Sequence, residues 1–447
     1  MLFLAVSSVL SIVLAATSGY AIWFYKHADS FIPVEKPPTA PGPEATSVTG
    51  LCASTCTYLI LGNDSRKGLS KADQIRFGNS ETVPGKRSDT IMLVRFDPRE
   101  EKAIVLSFPR DLWVDIPHQG FGKITSAFEG GPYRVAAVVH QLTGLRIDHF
   151  LTVNLAGFQH VIEAIGGVPI CVDRPMVDEL AGLNIPAGCQ TLDAEQALAF
   201  VRARHVQCDA IPDFSRIARQ QQFLRAVLAK VLRPSEVVHA PSIVPAVLQN
   251  LLVDPGLKAA GVAEIVHLVR QLQGIGTGAV DFRSVPGDPY ATVQTSSGTV
   301  DIVKLLPEAK VLFRRLREGK PLGTIGLAQT QTPPSPAVVK VRVFDDASAG
   351  AAAKVQDFLH TSGFETLGVA TSNSLGVQGP VILYKSTTLD EAKVVQGFLK
   401  GVPLQEAPKG SLAETDVAVI VPAGYDAPGV ASPNPTATPS TPGAACG

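Results

Sequence analysis

Three apolar runs near the start of the chain, TYLILG (57–62), DTIMLVRFD (89–97) and KAIVLSFP (102–109), are short and rich in β-branched residues, and they read as strands. Further along, the apolar spacing changes to the helical repeat. PYRVAAVVHQLTG (132–144), LAGFQHVIEAIGG (155–167), DAEQALAFV (193–201), SRIARQQQFLRAVLAKVL (215–232) and AEIVHLVRQLQ (263–273) set apolar residues three and four apart. VDFRSVPG (280–287) predicts a last strand and VKLLPEAKVLFRRLRE (303–318) a last helix. Strands and helices mixed in this way predict one α/β domain over 57–320.

One stretch breaks the pattern. In FVRARHVQCDAIPDFSRIARQQQF (200–223), arginines and aspartates stand where apolar residues are expected. Residues 198–204 fit a strand as well as a helix, and as a strand they put Phe200, Arg202 and Arg204 on one face. Beyond them, at about 100° per residue, Asp213, Arg216 and Gln220 fall within about 60° of one another. They lie on the same side as Ile217, Leu224, Leu228 and Val231. A solvated helix face sets its charges opposite its apolar stripe, so these charges border a cleft. Arginines gathered in a cleft point to a phosphorylated or carboxylated ligand.

A second module follows a Pro-rich joint. VVKVRVFDD (338–346), a helix at 350–361, ETLGVAT (365–371), PVILYKS (380–386), a helix at 389–400 and TDVAVIVPA (415–423) make a small, separate α/β unit over 338–424. Its polar residues form no constellation, which leaves it a binding or spacer role. The flanking segments predict a linker at 321–337 and a low-complexity, disordered tail at 425–447. At the other end, residues 2–24 form an apolar run without a charge, long enough to span a bilayer. We assign 1–25 to a transmembrane anchor, in preference to a cleaved signal peptide, and 26–56 to an extended Pro-rich linker.

Charge and cysteines narrow the function. Lys+Arg (39) and Asp+Glu (40) nearly cancel over 447 residues, which excludes the basic footprint that nucleic-acid binding requires. The basic residues beside the apolar run, Lys26 and His27, follow it, and by themselves they keep the body of the chain inside. A basic segment ahead of Met1 would reverse that orientation. The six cysteines favour an oxidising, exported location. Cys171 and Cys189 flank a loop between VPICV and PAGCQTLD and predict a disulfide. Cys52 and Cys56 are placed to pair with each other or with Cys208, and Cys446 reads as unpaired.

Candidate chemistry sits where strands end. LGNDSR follows the first strand and SFPRD the third, so Asp64, Arg66, Arg110 and Asp111 are expected to converge at the carboxyl edge of the sheet. Arg87 and Asp89, two apart, share one face of the second strand. Such carboxylates are Mg²⁺ ligands, and such arginines clamp phosphate, the combination that pyrophosphate chemistry needs. No nucleotide-binding loop accompanies them, and Ser54, Ser65 and Ser107 lack the nucleophile-elbow context. His140, His149, His160 and His239 read as core or surface histidines.

LGNDSR, KRSDTIMLVRFDP, VLSFPRDLWVDIP, KITSAFEGGP, DHFLTVNLAGFQHVIEAIGGVPICV, LDAEQALAFVRARH and DFSRIARQQQFL, in unbroken order over 62–225, together resemble the LytR–CpsA–Psr family of cell-wall enzymes. The 338–424 module resembles the LytR C-terminal domain, with FDDAS where an Asn-Gly-type turn is common. The resemblance implies an α/β/α sandwich with a central mixed sheet and an apolar groove for a lipid tail. It implies a single-pass membrane protein with an extracytoplasmic catalytic domain. Such an enzyme moves a glycopolymer from a polyprenyl-pyrophosphate carrier to peptidoglycan through a phosphodiester. Asp64 and Asp89 resemble the ligands of Mg²⁺ (or Mn²⁺). Arg87, Arg110, Lys123, Arg202, Arg204, Arg216 and Gln220 resemble the pyrophosphate-binding set, with Asp213 orienting the arginines.

In that mechanism Arg110, Arg202, Arg204 and Arg216 stabilise the departing polyprenyl phosphate while a sugar hydroxyl attacks the sugar-side phosphorus. Asp89 or Asp111 is the candidate base. Two rivals share these residues: a pyrophosphatase that uses water as nucleophile, and a non-catalytic binder of lipid-linked glycan.

Overall fold

The computed structural model describes residues 32–35, 55–71, 74, 87–97, 102–206, 209, 212–232, 247, 250–261, 280–296, 298–326, 336–345, 349–371, 375–399, 401–408, 410–412, 414–422 and 425. The chain opens with three strands, β1 (Cys56–Asn63), β2 (Ser88–Asp97) and β3 (Lys102–Phe108). A hairpin, β4 (Trp113–Ile116) and β5 (Gly120–Lys123), leads to helix α1 (Pro132–Thr143). Strand β6 (His149–Val153) and helix α2 (Leu155–Ala164) come next. Four short strands follow: β7 (Val168–Val172), β8 (Met176–Asp178), β9 (Leu183–Ile185) and β10 (Gly188–Leu192). Helices α3 (Ala194–Arg202) and α4 (Pro212–Val231) then carry the arginine-rich stretch. Strands β11 (Leu252–Val253), β12 (Val280–Ser284), β13 (Gly287–Thr295) and β14 (Gly298–Leu305) and helix α5 (Pro307–Arg317) complete the core.

Six strands make one mixed sheet in the order β11-β6-β1-β2-β3-β12. β1 is parallel to β6, β3 is parallel to β12, and β2 runs antiparallel between β1 and β3. Alternation along the strands loads both faces. Leu59, Leu61, Ile91, Leu93, Leu106 and Phe108 pack against Val135, Val138 and Val139 of α1 and Leu312, Phe313 and Leu316 of α5. Met92, Phe96, Val105 and Phe282 face the other way, toward Leu224 and Leu228 of α4. The core is therefore a three-layer α/β/α arrangement, as expected. A second cluster, from α2, α3 and β7–β10, packs beside it and shares Phe223 of α4.

Local signals set the helix ends. The Asn154 side chain accepts from Gly157 N at the start of α2, and Asp193 with Gln196 forms a capping box on α3. Pro132 and Pro307 open α1 and α5 at positions whose amide hydrogens would have no helical partner.

Some boundaries differ from those predicted. Residues 303–305, taken as the start of a helix, end the β14 strand, which pairs antiparallel with β13, and the helix begins only at Pro307. The β13–β14, β4–β5 and β8–β9 hairpins were not anticipated. The ambiguous 198–204 segment is helical through Arg202 and extended after it, with Ala203 at φ −53° and ψ 136°. In the 26–56 linker, Ile32 is buried against Tyr58 and Val253, and Val34 bridges to β11. The 321–337 linker is also docked at its start: Arg283 donates to the carbonyls of Gly323 and Ile325, and Leu322 is buried in the core. Among the described residues no helix is long and apolar enough to cross a membrane. The anchor expected at 1–25 lies outside them, as do the 263–273 helix and Cys52, Cys208 and Cys446.

The C-terminal module is a five-stranded sheet of β15 (Lys340–Asp345), β16 (Glu365–Thr371), β17 (Val381–Tyr384), β18 (Leu404–Glu406) and β19 (Val417–Val421), in the order β16-β15-β19-β17-β18. Helices α6 (Ala349–Thr361) and α7 (Leu389–Phe398) share one of its cores, through Val355, Leu359 and Val395.

Cys171 and Cys189 stand opposite each other in the antiparallel β7–β10 pair and are disulfide-bonded. Cys56 is also disulfide-bonded. Replacing Cys171 and Cys189 together by Ser should cost about 3 kcal/mol, the loop-closure value for a bridge of this span. Urea titration under non-reducing conditions measures that cost, and an unchanged midpoint would contradict it.

Candidate active site

The carboxyl ends of β1 and β3 and the amino end of β2 meet at one edge of the sheet, because β2 is antiparallel to both. That geometry brings Asp64 and Arg110, from the turns after β1 and β3, together with Asp89 at the start of β2. Gly62 makes the approach possible: a Cβ there would lie 3.0 Å from the Cβ of Thr90. The KITSAF segment fixes the same edge, since Thr125 Oγ1 donates to Ser88 O and Thr125 N to Arg110 O.

Arg110 is the hub. Its Nη1 donates to Asp89 Oδ1 at 2.7 Å, and its Nε lies 3.4 Å from Asp111 Oδ2 and 3.8 Å from Asp213 Oδ1. Lys123 Nζ reaches Asp111 Oδ1 at 3.0 Å. On the facing wall, Asp213 Oδ1 accepts from Arg204 Nη2 at 2.7 Å and lies 3.3 Å from Arg216 Nη2. Arg216 is only 3% exposed despite its charge. Burial, together with the nearby charges of Arg110 and Arg204, pulls its pKa down to about 10 even though Asp213 opposes the shift.

These cations have unused donors. Arg110 Nε, Arg204 Nε and Arg216 Nε are all buried without a hydrogen-bond acceptor. Three orphaned guanidinium N–H groups in one place are costly unless an anion meets them.

The carboxylates behave differently from one another. Burial pushes Asp89 up, but Arg110, Arg216 and Arg204 outweigh it and hold the group below its ordinary value. Asp64 is raised, first by burial and then by the charge of Asp89, against a hydrogen bond from Arg87 N at 3.0 Å. Two neighbouring carboxylates that repel each other suit a divalent cation, which Mg²⁺ sites commonly bind through one or two carboxylates plus substrate phosphate. Among the described residues there is no cluster of three or more His, Cys, Asp or Glu placed for a metal, so substrate oxygens would have to complete such a site.

Of the residues predicted from sequence, Asp64, Asp89, Arg110, Asp111, Lys123, Arg204, Asp213 and Arg216 are joined in this network. Gln220 stands one turn further along α4, where its amide donates to Thr90 Oγ1 and Val201 O. Arg202 occupies the last turn of α3. Arg87 is exposed and meets the cluster through its backbone, not its guanidinium. Arg66 pairs with Asp64 at 3.9 Å.

The sequence did not reveal the supports. Asp178, 2% exposed, accepts from the backbone N–H groups of Arg204 and His205. Arg219 Nη2 donates to Ala203 O, and its Nη1 is held by Asp209 at 2.6 Å. The extended segment bearing Arg204 is thus held by two buried charges. Arg219 was legible as a charge one turn from Arg216 on a buried face; Asp178, in a polar turn far away in sequence, gave no signal. Gln221, buried, ties α4 to β3 and β12 through Ser107 Oγ and Arg283 O.

A sheet edge that presents buried, acceptor-starved arginines beside paired carboxylates has the chemistry that suits an anionic ligand. The LytR_cpsA_psr family model matches residues 39–308, and the chain belongs to that family. It is 38% identical over 198 residues to the probable cell wall biosynthesis protein LcpB of Corynebacterium glutamicum, covering 44% of this chain and 47% of that one. It is 31% identical to the polyisoprenyl-teichoic acid–peptidoglycan teichoic acid transferase TagT of Bacillus subtilis, covering 49% of this chain and 70% of that one. The match spans about half the length of LcpB and of the related LcpA. Among solved structures, a LytR-Csp2A-Psr enzyme from Actinomyces oris superposes with a TM-score of 0.48 at 24% identity, over 65% of this chain and 97% of that one.

Asp178 offers a direct test of the support. Burial raises its carboxyl, but the N–H groups of His205, Arg204 and Ala181 outweigh it and leave the group below its ordinary 3.8. Its stabilisation is therefore complete above pH ~4 and is lost as the pH falls through the depressed value. Asp178→Asn should cost about 1–3 kcal/mol at pH 7 by leaving buried donors facing an amide. The gap from wild type should narrow in acid. Denaturant midpoints at pH 7 and pH 3 measure both, and a constant gap would contradict the assignment.

Proposed function

We propose that this chain is a membrane-anchored, extracytoplasmic phosphotransferase. It moves a glycopolymer from a polyprenyl-pyrophosphate carrier to peptidoglycan, leaving a phosphodiester link. The observation that carries the reading is the set of buried, acceptor-less guanidinium donors of Arg110, Arg204 and Arg216 beside Asp64 and Asp89. Family membership supports it, as does the similarity to TagT, a polyisoprenyl-teichoic acid–peptidoglycan teichoic acid transferase.

In this reading Arg110, Arg204 and Arg216, with Lys123, bind the pyrophosphate oxygens, while Asp213 keeps the three guanidiniums parked until substrate arrives. Asp64 and Asp89 hold Mg²⁺, which when bound supplies further neutralisation of the pyrophosphate charge. Half-buried Ile60, Val94, Leu224 and Leu228 offer the polyprenyl chain an apolar path beside α4. The acceptor sugar hydroxyl attacks the sugar-side phosphorus, the new P–O bond forms, and the bond to polyprenyl phosphate breaks. In this reading Asp89 is committed to Arg110 and the cation, so we assign the hydroxyl proton to Asp111. The 338–424 module is read as a LytR C-terminal domain and the 1–25 run as the anchor.

Asp89→Asn and Arg110→Ala should each lower transfer at least about 100-fold, the scale of losing one charge-stabilising group at a reacting phosphate. Mass analysis of peptidoglycan after incubation with purified protein, Mg²⁺ and lipid-linked glycan reads this directly. Near wild-type transfer by either folded variant overturns the site. Asp111→Asn should fall about 100-fold or more in kcat with little change in KM for the donor. Release of free phosphorylated glycan by the wild-type protein, without linkage to peptidoglycan, would favour a pyrophosphatase.

A further inference from the structure

The arginine cluster is roofed by the C-terminal module. Helix α7 packs against β13, and between module and core lies a cavity of about 840 Å³. The two sides of this cavity differ in chemistry. Its floor carries Arg110, Asp111, Lys123, Arg204 and Asp213, and the β13–β14 hairpin, with Tyr290 and Asp301, closes one flank between floor and roof. Its roof is built from the C-terminal ends of two helices: Phe358, Thr361 and Ser362 at the end of α6, and Gln396, Gly397 and Phe398 at the end of α7. Among the described residues, the module contributes no titratable side chain to it.

That asymmetry selects a ligand with two different ends. The last carbonyls of a helix have no partner within it, and the helix dipole makes that end partly negative. Such a surface disfavours phosphate, and because Phe358 O, Leu359 O and His360 O already accept from Ser362 N, Phe364 N and Gly363 N, recognition of hydroxyl groups falls to its neutral side chains. Thr361 Oγ1 donates to Asp357 O and Phe358 O, and Gln396 Nε2 to Val402 O. The oxygens of both side chains and the Ser362 hydroxyl are neutral groups that can accept from a sugar, and the rings of Phe358 and Phe398 offer apolar faces to the C–H side of a pyranose. The volume falls within the roughly 300–1,000 Å³ of small-molecule sites, more than the phosphates alone require.

We propose that the C-terminal module forms the saccharide wall of this site, with a neutral sugar held against the ends of α6 and α7 while its phosphate rests on the arginine floor. The assignment rests on the pyrophosphate reading of that floor. The first sugar of the donor glycan and the attacking sugar of the acceptor share this chemistry, and binding separates them.

The test uses the full chain with Ser362→Trp and Gly397→Trp, each of which fills the cavity from a different helix end, and far-UV circular dichroism to verify folding. Calorimetric titration compares geranyl pyrophosphate, the same pyrophosphate carrying N-acetylglucosamine, and a free peptidoglycan disaccharide. Wild type should bind at least one of the two saccharide probes with a contribution from the sugar. For the donor analogue that is about a tenfold gain over the bare pyrophosphate. In both variants the sugar contribution should vanish. Loss of the donor gain assigns the wall to the donor sugar, and loss of disaccharide binding assigns it to the acceptor. Thr361→Ala, at an exposed helix position, should lower the same contribution about threefold, and it serves if a tryptophan variant does not fold. A sugar contribution retained in the folded variants overturns the wall alone. Failure of wild type to bind even geranyl pyrophosphate overturns the floor, and with it the wall.

Discussion

A single carboxylate oxygen, Asp213 Oδ1, lies within 3.8 Å of guanidinium nitrogens from three separate pieces of chain. Arg110 comes from the turn after β3, Arg204 from the segment after α3, and Arg216 from the next turn of the same helix as Asp213. Two unit charges 4 Å apart interact by about 4 kcal/mol at an effective dielectric constant of 20, so three guanidiniums would not gather without it. Most of the surrounding architecture keeps that arrangement in place. Asp178 and Arg219 hold the backbone around Arg204, Gln221 locks α4 to the sheet, and Thr125 pins Arg110.

The same arrangement leaves the arginines only partly satisfied. Asp213 faces Nη2 of Arg204 and of Arg216, Asp89 takes Nη1 of Arg110, and the Nε donors of all three remain without hydrogen-bond acceptors. A site fully neutralised by its own carboxylates would gain little from an anionic ligand, and one with no carboxylates would not fold. Asp213 and Asp111 stand between those limits. Asp64 and Asp89 face the opposite problem, two like charges side by side, and a divalent cation together with the polyanion would resolve both. In the proposed reading the module above the site extends the logic to the neutral part of the substrate, because its uncharged polar and aromatic face suits a sugar.

How far the sequence revealed this depends on the element. β1, β2 and β3 were readable because their apolar runs are short, β-branched and closed by polar turns. α1, α2 and α4 were readable because a 3.6-residue period over ten or more residues leaves little ambiguity. The β14 strand was not: Val303, Leu305 and Leu306 fit the start of a helix until pairing with β13 decides otherwise. The docked pieces at 32–35 and 321–326 were read as linker because Pro-rich segments carry no periodicity, and only their hydrogen bonds to Val253, Ser284 and Arg283 place them on the core.

The site divides in the same way. Charges on the apolar side of α4, and acidic and basic residues directly after strands, are local patterns, so Arg216, Gln220, Asp213, Arg110 and Asp64 were identifiable in one dimension. What the sequence determined by itself was the inventory: which groups the site holds, their chemical type and the elements that carry them. Tertiary structure decided which of them meet. It set Asp178 under Arg204 across twenty-six residues, turned the backbone of Arg87 toward Asp64, and brought the ends of α6 and α7 over the arginines. Contacts between segments distant in sequence depend on sheet order and helix packing, and neither leaves a periodic trace in the chain.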